Sequence, residues 1–169
     1  GAVPGLTYAR FRCSSAAGLG PTGPANDGEV EDYLVGVVGF DYGDAPATYG
    51  TQGAGAARHQ VNPLNPLMLG RCVDTEVDGQ PNATASGDDG TASPSRIGNC
   101  FNDEDGVTFM TPVTACTTAQ VSVFVTSAAG GKLDAWVDFN RNGTFDAAEH
   151  VFTSQTLVAG NNNLSFPVP

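Results

Sequence analysis

The spacing of apolar residues in this chain favours β-strands over α-helices. From Val107 onwards, apolar and polar residues alternate in short runs such as AQVSVFVTS and KLDAWVDF, and turn residues separate the runs. Alternation with a period of two is typical of β-strands that bury one face. No stretch longer than a turn has helical periodicity, and glycine (22) and proline (11) are abundant. Together with LTYARFRC and EVEDYLVGVV near the start, these runs predict an all-β, antiparallel β-sandwich.

The chain divides by character into three parts. Residues 1–38 hold two strands, which we expect to complete a β-sandwich, either that of their own chain or that of a neighbouring subunit. Residues 39–106 show little periodicity and many carboxylates, and we call them the acidic segment; they are predicted to form a long, loop-rich insertion. Residues 107–169 carry the main sandwich strands.

Charge excludes two classes of partner. The chain has 169 residues, with 18 Asp and Glu against 7 Lys and Arg, and a formal net charge of −11. Such a field repels nucleic acid and anionic membranes, so neither is an expected partner. The longest apolar run, around YLVGVVGF, is too short to cross a bilayer, so no membrane insertion is expected. The same field favours cations, and the carboxylates are clustered.

The segment DFNRNGTFDAAEH contains the complete pattern of a twelve-residue calcium loop, although a strand and not a helix leads into it. The predicted ligands are Asp138, Asn140, Asn142, the backbone carbonyl of Thr144, Asp146 and Glu149. Gly143 stands where the chain must turn sharply around the ion. The alternative is a β-hairpin with Asn142-Gly143 as its tight turn, which leaves the acidic residues unexplained. Three carboxylates predict weak binding, with a dissociation constant of about 10⁻⁴ to 10⁻³ M, and therefore a structural ion.

The acidic segment carries further clusters of carboxylates, in DYGDAP, DTEVDGQ, GDDG and NDEDG. At this density carboxylates repel one another unless water or a cation separates them. A second calcium site is therefore predicted, with the ligands Asp78, Asp88, Asp89, Asp103 and Asp105. The alternative is a solvated acidic face. In DGEVEDY, Glu29 and Glu31 share one strand face, and either edge protection or a ligand role remains open for them.

Four cysteines favour disulfide bonds and an exported chain, because none is spaced as CxxC for zinc. We predict a Cys72–Cys100 bond, since the stretch between them is too polar to build its own core. Closing this loop would stabilise the fold by about 3–4 kcal/mol. Cys13 would then pair with Cys116. The alternative is four buried free thiols.

No catalytic activity is expected. The sequence has only two histidines, His59 and His150, and no GxSxG, HExxH or phosphate-loop motif. Paired carboxylates could serve a glycosidase, but acids concentrated on turns are better interpreted as metal ligands.

The run NDGEVEDYLV resembles the signature of the GEVED domain, found in large secreted and surface-attached bacterial proteins, often as tandem repeats. TYARFRC and AWVDFNRNGTFDAAEHVF are also similar to that family, and the segment from DYGDAPATYGT to NDEDGV resembles the acidic block that commonly precedes such domains. The resemblance implies a β-sandwich with bound calcium in an extracellular adhesin-like or structural protein. It implies no catalytic activity and names no ligand.

The order of these pieces departs from the family, in which TYARFR and GEVEDY follow the NNLSF strand. Here they come first, so the end of the chain reads on into its own beginning. Either the sequence is one period of a tandem array, or residues 1–38 fold back onto the last 65 or so residues as a permuted domain.

These observations predict a calcium-stabilised structural or adhesive repeat unit of an extracellular bacterial surface fibre or large adhesin. Its partners would be copies of itself or adjacent repeats, assembled by strand exchange as in pili. The alternative is a carbohydrate-binding module that binds a surface glycan. It would need an exposed aromatic platform, for which Tyr42, Tyr49 and Trp136 are the candidates, although Trp136 is expected in the core.

Overall fold

Short antiparallel strands build the whole described structure, which is a computed structural model covering residues 1–89, 95–98 and 101–169. The strands are β1 (Gly5–Cys13), β2 (Glu29–Val37), β3 (Gly39–Tyr42), β4 (Arg58–Val61), β5 (Cys72–Val73), β6 (Ile97–Gly98), β7 (Val107–Phe109), β8 (Thr118–Val125), β9 (Gly131–Trp136), β10 (His150–Leu157) and β11 (Gly160–Pro167). Single 3₁₀ turns occur at Ala47–Tyr49 and Ala147–Glu149. The predicted all-β class is confirmed. No helix in the described ranges is long and apolar enough to cross a membrane.

The apolar core lies within residues 107–169, between a three-stranded sheet of order β11-β8-β7 and the β9-β10 pair. Alternation along β8 buries every second side chain, as its sequence predicts. The buried cluster consists of Ala119, Val121, Val123, Val125, Leu157, Phe166 and Val168. Half-buried apolar side chains pack around it: Leu133, Val137, Phe139, Val151, Phe152 and Leu164. The core is therefore small, and several side chains that line it remain partly open to solvent.

Trp136 does not belong to this core, so that expectation is wrong. Its side chain is 41% exposed and stacks on His150, with ring centroids 4.2 Å apart. The alternation of β9 turns Leu133 and Ala135 towards the core, and Trp136 therefore lies on the opposite face.

Strands β1 and β2 form a long hairpin whose register runs from Gly5 opposite Val37 to Cys13 opposite Glu29. Among the described sheets, these two strands pair only with each other. The loop between them is ordered by its own polar contacts. Arg12 donates to carbonyls of residues 20, 22 and 23, and Asp27 accepts hydrogen bonds from Ser14 and Ser15. The hairpin is thus a complete local unit that is not paired with the sheets of residues 107–169.

The acidic segment has an interior that is mainly polar. Two small sheets, β3-β4 and β5-β6, run through it, and its only buried apolar side chains in the described residues are Val61, Cys72 and Val73. Its buried polar side chains are more numerous: Asp44, Thr51, Asp74, Thr75, Asp88 and Ser95. Hydrophobic burial alone cannot organise such a segment, because burying polar groups costs free energy unless each finds a partner.

The cysteines differ from the prediction in part. Cys13 and Cys116 are both free and exposed, so the predicted bond between them does not form within this chain. The reason is topological: Cys13 ends β1 of the separate hairpin, whereas Cys116 lies just before β8. Cys72 is buried, as expected for a structural cysteine. Its predicted partner Cys100 lies outside the described residues.

Candidate metal centres

The loop of residues 138–149 closes on itself around the carboxylate of Asp138. Backbone N–H groups of Asn142 and Gly143 donate to the two Asp138 oxygens, at 3.2 and 2.9 Å. Asn142 N also donates to Asn140 Oδ1 at 2.8 Å, and Thr144 N donates to Asn142 Oδ1 at 2.9 Å. Gly143 has a φ of 81°, the left-handed conformation predicted for the sharp turn.

Glu149, at the end of the loop, accepts hydrogen bonds from backbone N–H groups near its start. This carboxylate is buried, its Oε1 accepts from Phe139 N at 2.9 Å and Asn140 N at 3.2 Å, and its Oε2 accepts from Asp146 N at 3.1 Å. Asp146 Oδ2 in turn accepts from the amides of Asn140 (3.3 Å) and Asn142 (2.7 Å). The predicted ligands are therefore gathered in one loop. In this arrangement amide donors satisfy the Asp146 carboxylate, and the two amides must present oxygen instead if a cation binds.

Tyr49 ties the acidic segment to this loop, a contact that sequence reasoning missed. Its hydroxyl donates to Asp138 Oδ2 at 2.8 Å, and its ring packs on Phe145 with centroids 4.8 Å apart. Desolvation raises the pKa of Asp138, but the hydrogen bonds from Tyr49 and from the backbone N–H of Gly143 outweigh it, and the net pKa is lowered. No sequence signal links positions 89 residues apart.

The acidic segment brings carboxylates together in two groups that share Asp88. Within each group, the described side chains offer oxygens that all lie within 4.8 Å of one another. The first, which we call the outer group, is Asp88, Asp89, Asp103 and Glu104. The second, the inner group, is Asp74, Glu76 and Asp88. Both could hold a metal ion, because clustered carboxylate oxygens are the ligands that hard cations prefer.

The predicted second site agrees with this cluster for three of its five residues: Asp88, Asp89 and Asp103. The other two differ because backbone N–H groups engage them. Asp78 accepts from Gly53 N at 2.8 Å, and Asp105 accepts from Arg71 N at 2.9 and 3.1 Å. The members that the sequence did not single out are Asp74, Glu76 and Glu104. All three stand in quoted acidic runs, but no periodicity in those runs showed which carboxylates turn inward.

The crowding of buried carboxylates raises the pKa values of several of them. Burial, reinforced by Asp103 and Asp74, raises the pKa of Asp41 to about 7. Burial and Asp103 raise the pKa of Glu104 to about 7. Burial, followed by a hydrogen bond between the Glu76 and Asp74 side chains, also raises the pKa of Glu76 well above its ordinary value. The described cations near the cluster are few, and Arg96 makes one buried ion pair, with Asp74 at 2.9 Å.

A pH prediction follows from these shifts. Asp41 and Glu104 have folded-state pKa values of about 7, against about 4 in an unfolded chain. The metal-free fold is then most stable below the unfolded value and loses stability as pH rises towards 7, because the folded state must give up protons that it holds more tightly. We expect the melting temperature of thoroughly demetallated protein to fall between pH 5 and pH 7, while excess calcium removes this fall. Calorimetry at each pH measures both, and a metal-free melting temperature that rises with pH would contradict the assignment.

Comparison with known families supports part of this picture. Residues 132–169 match the GEVED domain. This confirms the resemblance over β9, the 138–149 loop, β10 and β11. No curated protein and no solved structure matches the chain.

Proposed function

We propose that this chain, whose residues 132–169 match the GEVED domain, is a calcium-stabilised structural unit of an extracellular bacterial surface fibre or large adhesin. Units would be joined by exchange of the β1–β2 hairpin. The observation that carries the proposal is that, in the sheets of the described residues, β1 and β2 pair only with each other while presenting large apolar side chains to solvent.

One face of the hairpin suits insertion into a neighbour. The register places Ala9, Phe11, Tyr33, Val35 and Val37 on this face, which we call the docking face. Its end nearest the hairpin loop also carries Glu29 and Glu31, and the Tyr33 hydroxyl donates to the Glu31 carboxylate. Phe11 is 62% and Tyr33 48% exposed, and their rings meet edge to face at 5.7 Å. Isolated hairpins are marginal in water, and large apolar side chains left exposed on one are a liability unless a partner covers them.

The opposite face also exposes large apolar side chains, namely Leu6, Tyr8, Val30 and Leu34, but it carries two guanidinium groups that are bound to other polar groups. There Arg10 donates to both carboxylate oxygens of Asp32 at 2.7 Å, and Arg12 binds loop carbonyls. Placing an ion pair in an apolar core costs desolvation free energy. We therefore assign the docking face to the neighbour's core and the Arg10–Asp32 face to solvent.

The accepting surface would be the incompletely covered core of residues 107–169 in the next copy. Strand β11 pairs with β8 alone in the described sheets, so its outer edge is unpaired. Half-buried Leu133, Phe152 and Leu164 lie at the margin of the core. An added hairpin would extend the sheet by backbone hydrogen bonds and complete a β-sandwich, as in donor-strand assembly.

Electron microscopy and light scattering of the purified protein in millimolar calcium test this function. We expect filaments or a series of oligomers. A strictly monomeric protein whose residues 1–38 pack on their own core would overturn the assembly and leave a closed, permuted domain.

Calcium is proposed to bind both the 138–149 loop and the outer group of the acidic segment, and a Cys72–Cys100 disulfide would close that segment. In this proposal the acidic segment is held by ions and a covalent link in place of an apolar core. Constant millimolar calcium outside cells would keep such weak sites filled.

For the loop, Asp138→Ala should reduce calcium uptake by one ion per chain. Asp138 contributes the first ligand and also receives the hydrogen bonds that close the loop. Isothermal titration calorimetry measures the difference, with Asp134→Ala on the neighbouring strand as the charge-matched control. Equal calcium uptake by wild type and Asp138→Ala would show that the 138–149 loop does not bind calcium.

A carbohydrate-binding module is the second candidate, and the exposed indole of Trp136 is the observation that favours it. Aromatic faces are common sugar-binding platforms, but each candidate ring contacts a protein side chain: Trp136 stacks on His150, Tyr49 packs on Phe145, and Tyr42 lies 5.9 Å from the Arg58 guanidinium. Glycan-array binding that is lost in Trp136→Ala would support this function over the first.

A further inference from the structure

Asp74 is the most deeply enclosed carboxylate of the acidic segment. The residue is 1% exposed, and its Oδ2 accepts from Arg96 at 2.9 Å. Its other oxygen, Oδ1, is buried and has no hydrogen-bond partner within the described part of the chain. An unsatisfied buried carboxylate oxygen is costly, and native proteins rarely leave one without a ligand, water or ion.

The neighbours of Asp74 repeat this pattern. Glu76 Oε2 accepts from Tyr42 N at 3.1 Å, whereas Glu76 Oε1 is buried and has no donor among the described residues when Glu76 and Asp74 are both ionised. Without a cation, a proton held between the Glu76 and Asp74 side chains takes the place of that donor. In the outer group, Asp89 Oδ2 accepts from the Asn102 amide at 3.1 Å, and Asp89 Oδ1 is buried in the same unpartnered way. The inner group therefore holds two buried oxygens, and the outer group one, that no donor in the described residues satisfies.

The two groups meet at Asp88, which is itself buried. An Asp88 oxygen lies within 4.8 Å of oxygens of Asp74 and Glu76, and an Asp88 oxygen also lies within 4.8 Å of oxygens of Asp89, Asp103 and Glu104. A carboxylate has two oxygens and can bridge two cations, which in two-metal sites lie about 3.5–4 Å apart.

We propose that the acidic segment holds a pair of divalent cations bridged by Asp88, with a previously unassigned inner ion bound by Asp74 and Glu76. The bridge rests on the outer calcium site of the proposed function, whereas the inner ion stands on its own residues. Assembly through the hairpin is independent of both.

The chemistry of the inner group favours calcium. Its ligands are all carboxylate oxygens, which hard cations prefer, and calcium accepts irregular coordination from protein oxygens more readily than magnesium does. Charge also fits: of the group's three carboxylates, Asp74 forms an ion pair with Arg96, and a divalent cation would offset the remaining negative charge. Buried charges persist in proteins when such compensation is present.

Calcium content after equilibrium dialysis tests the pair by subtraction. Glu76→Gln should lose one ion per chain and Asp89→Asn should lose one, while the double variant should lose two. Asp32→Asn, which removes one charge on the remote hairpin, should lose none. If each single variant loses one ion and the double variant also loses only one, the two groups form a single site. That result would overturn the proposal.

The wild-type protein supplies a second test, whose main measurement does not depend on how a variant folds; two variants then locate the signal. Loaded with equal amounts of Tb³⁺ and Eu³⁺ in place of calcium, it should show efficient energy transfer from terbium to europium, because bridged ions are in near contact. Transfer should persist in Asp138→Ala and disappear in Glu76→Gln. Terbium binding without transfer in the wild type would show isolated ions and contradict the bridge. The absence of terbium binding in the acidic segment would overturn the outer site as well as the bridge. This outcome therefore distinguishes a failure of the proposed calcium sites from a failure of the bridge alone.

Discussion

Phe11→Asp is expected to abolish assembly and leave the protein monomeric in calcium. Phe11 lies on the docking face near the loop end of β1, where insertion into a neighbour would bury its ring and that of Tyr33. Burying a large apolar side chain contributes about 1.5–3 kcal/mol, and a carboxylate in its place must instead be desolvated. Light scattering and negative-stain micrographs of wild type and variant measure the effect.

Tyr8→Asp is the matched control, because it places the same charge on the same strand but on the opposite face, opposite Leu34. Assembly should survive this change. Loss of assembly in both variants would show that the face assignment is wrong, and retention in both would refute exchange of the hairpin.

A disulfide bond through Cys13 would detect the same contact between neighbouring subunits. It shares the docking face with Phe11, and both it and Cys116 are exposed free thiols. Cys116 lies beside the end of β11, because its N–H donates to the carbonyl of Pro169. If the hairpin inserts along the outer edge of β11 in a neighbour, the Cys13–Cys116 bond that does not form within one chain can join two chains under oxidising conditions. Non-reducing electrophoresis should then show a ladder that collapses on reduction and is absent in Cys13→Ser.

Removing calcium is expected to have the second large effect, a fall in melting temperature of roughly 10 °C. An ion that binds only the folded state stabilises it by about 1–2 kcal/mol at millimolar calcium, and two or three such ions add up. Without them, the buried carboxylates around Asp74 and Asp88 repel one another across an interior with few apolar side chains. Scanning calorimetry with and without chelator measures the fall.

Amide hydrogen exchange shows which strands lose stability when calcium is removed. Amides of β3 to β6 should lose protection in chelator, while those of β8 and β11 keep theirs because an apolar core covers them. Magnesium is the control: it gives up water reluctantly and should restore little of the stability. An unchanged melting temperature in excess chelator would exclude a structural role for metal.

The sequence was informative where a local pattern carried the structure. Alternation located β1, β2 and the strands of residues 107–169, and the 138–149 loop closes with Gly143 in the predicted conformation. The acidic segment was harder, since its strands β3 to β6 are only two to four residues long. In such a segment the direction of each carboxylate depends on distant contacts. Thus Asp105 turns to Arg71 N, while Asp74 turns inward to Arg96.

The hydroxyl of Tyr49 connects the 138–149 loop to the acidic segment, so the cations proposed for these two regions are expected to bind cooperatively. It bonds to Asp138, the first predicted ligand of the loop, from a 3₁₀ turn that belongs to the acidic segment. A cation that orders the acidic segment then also positions Asp138 for the loop ion. Thermodynamic reciprocity requires the loop ion to favour the acidic-segment ions by the same factor. Filling of the sites should therefore be steeper with calcium concentration than independent binding allows, and Tyr49→Phe should flatten the curve without removing any ligand.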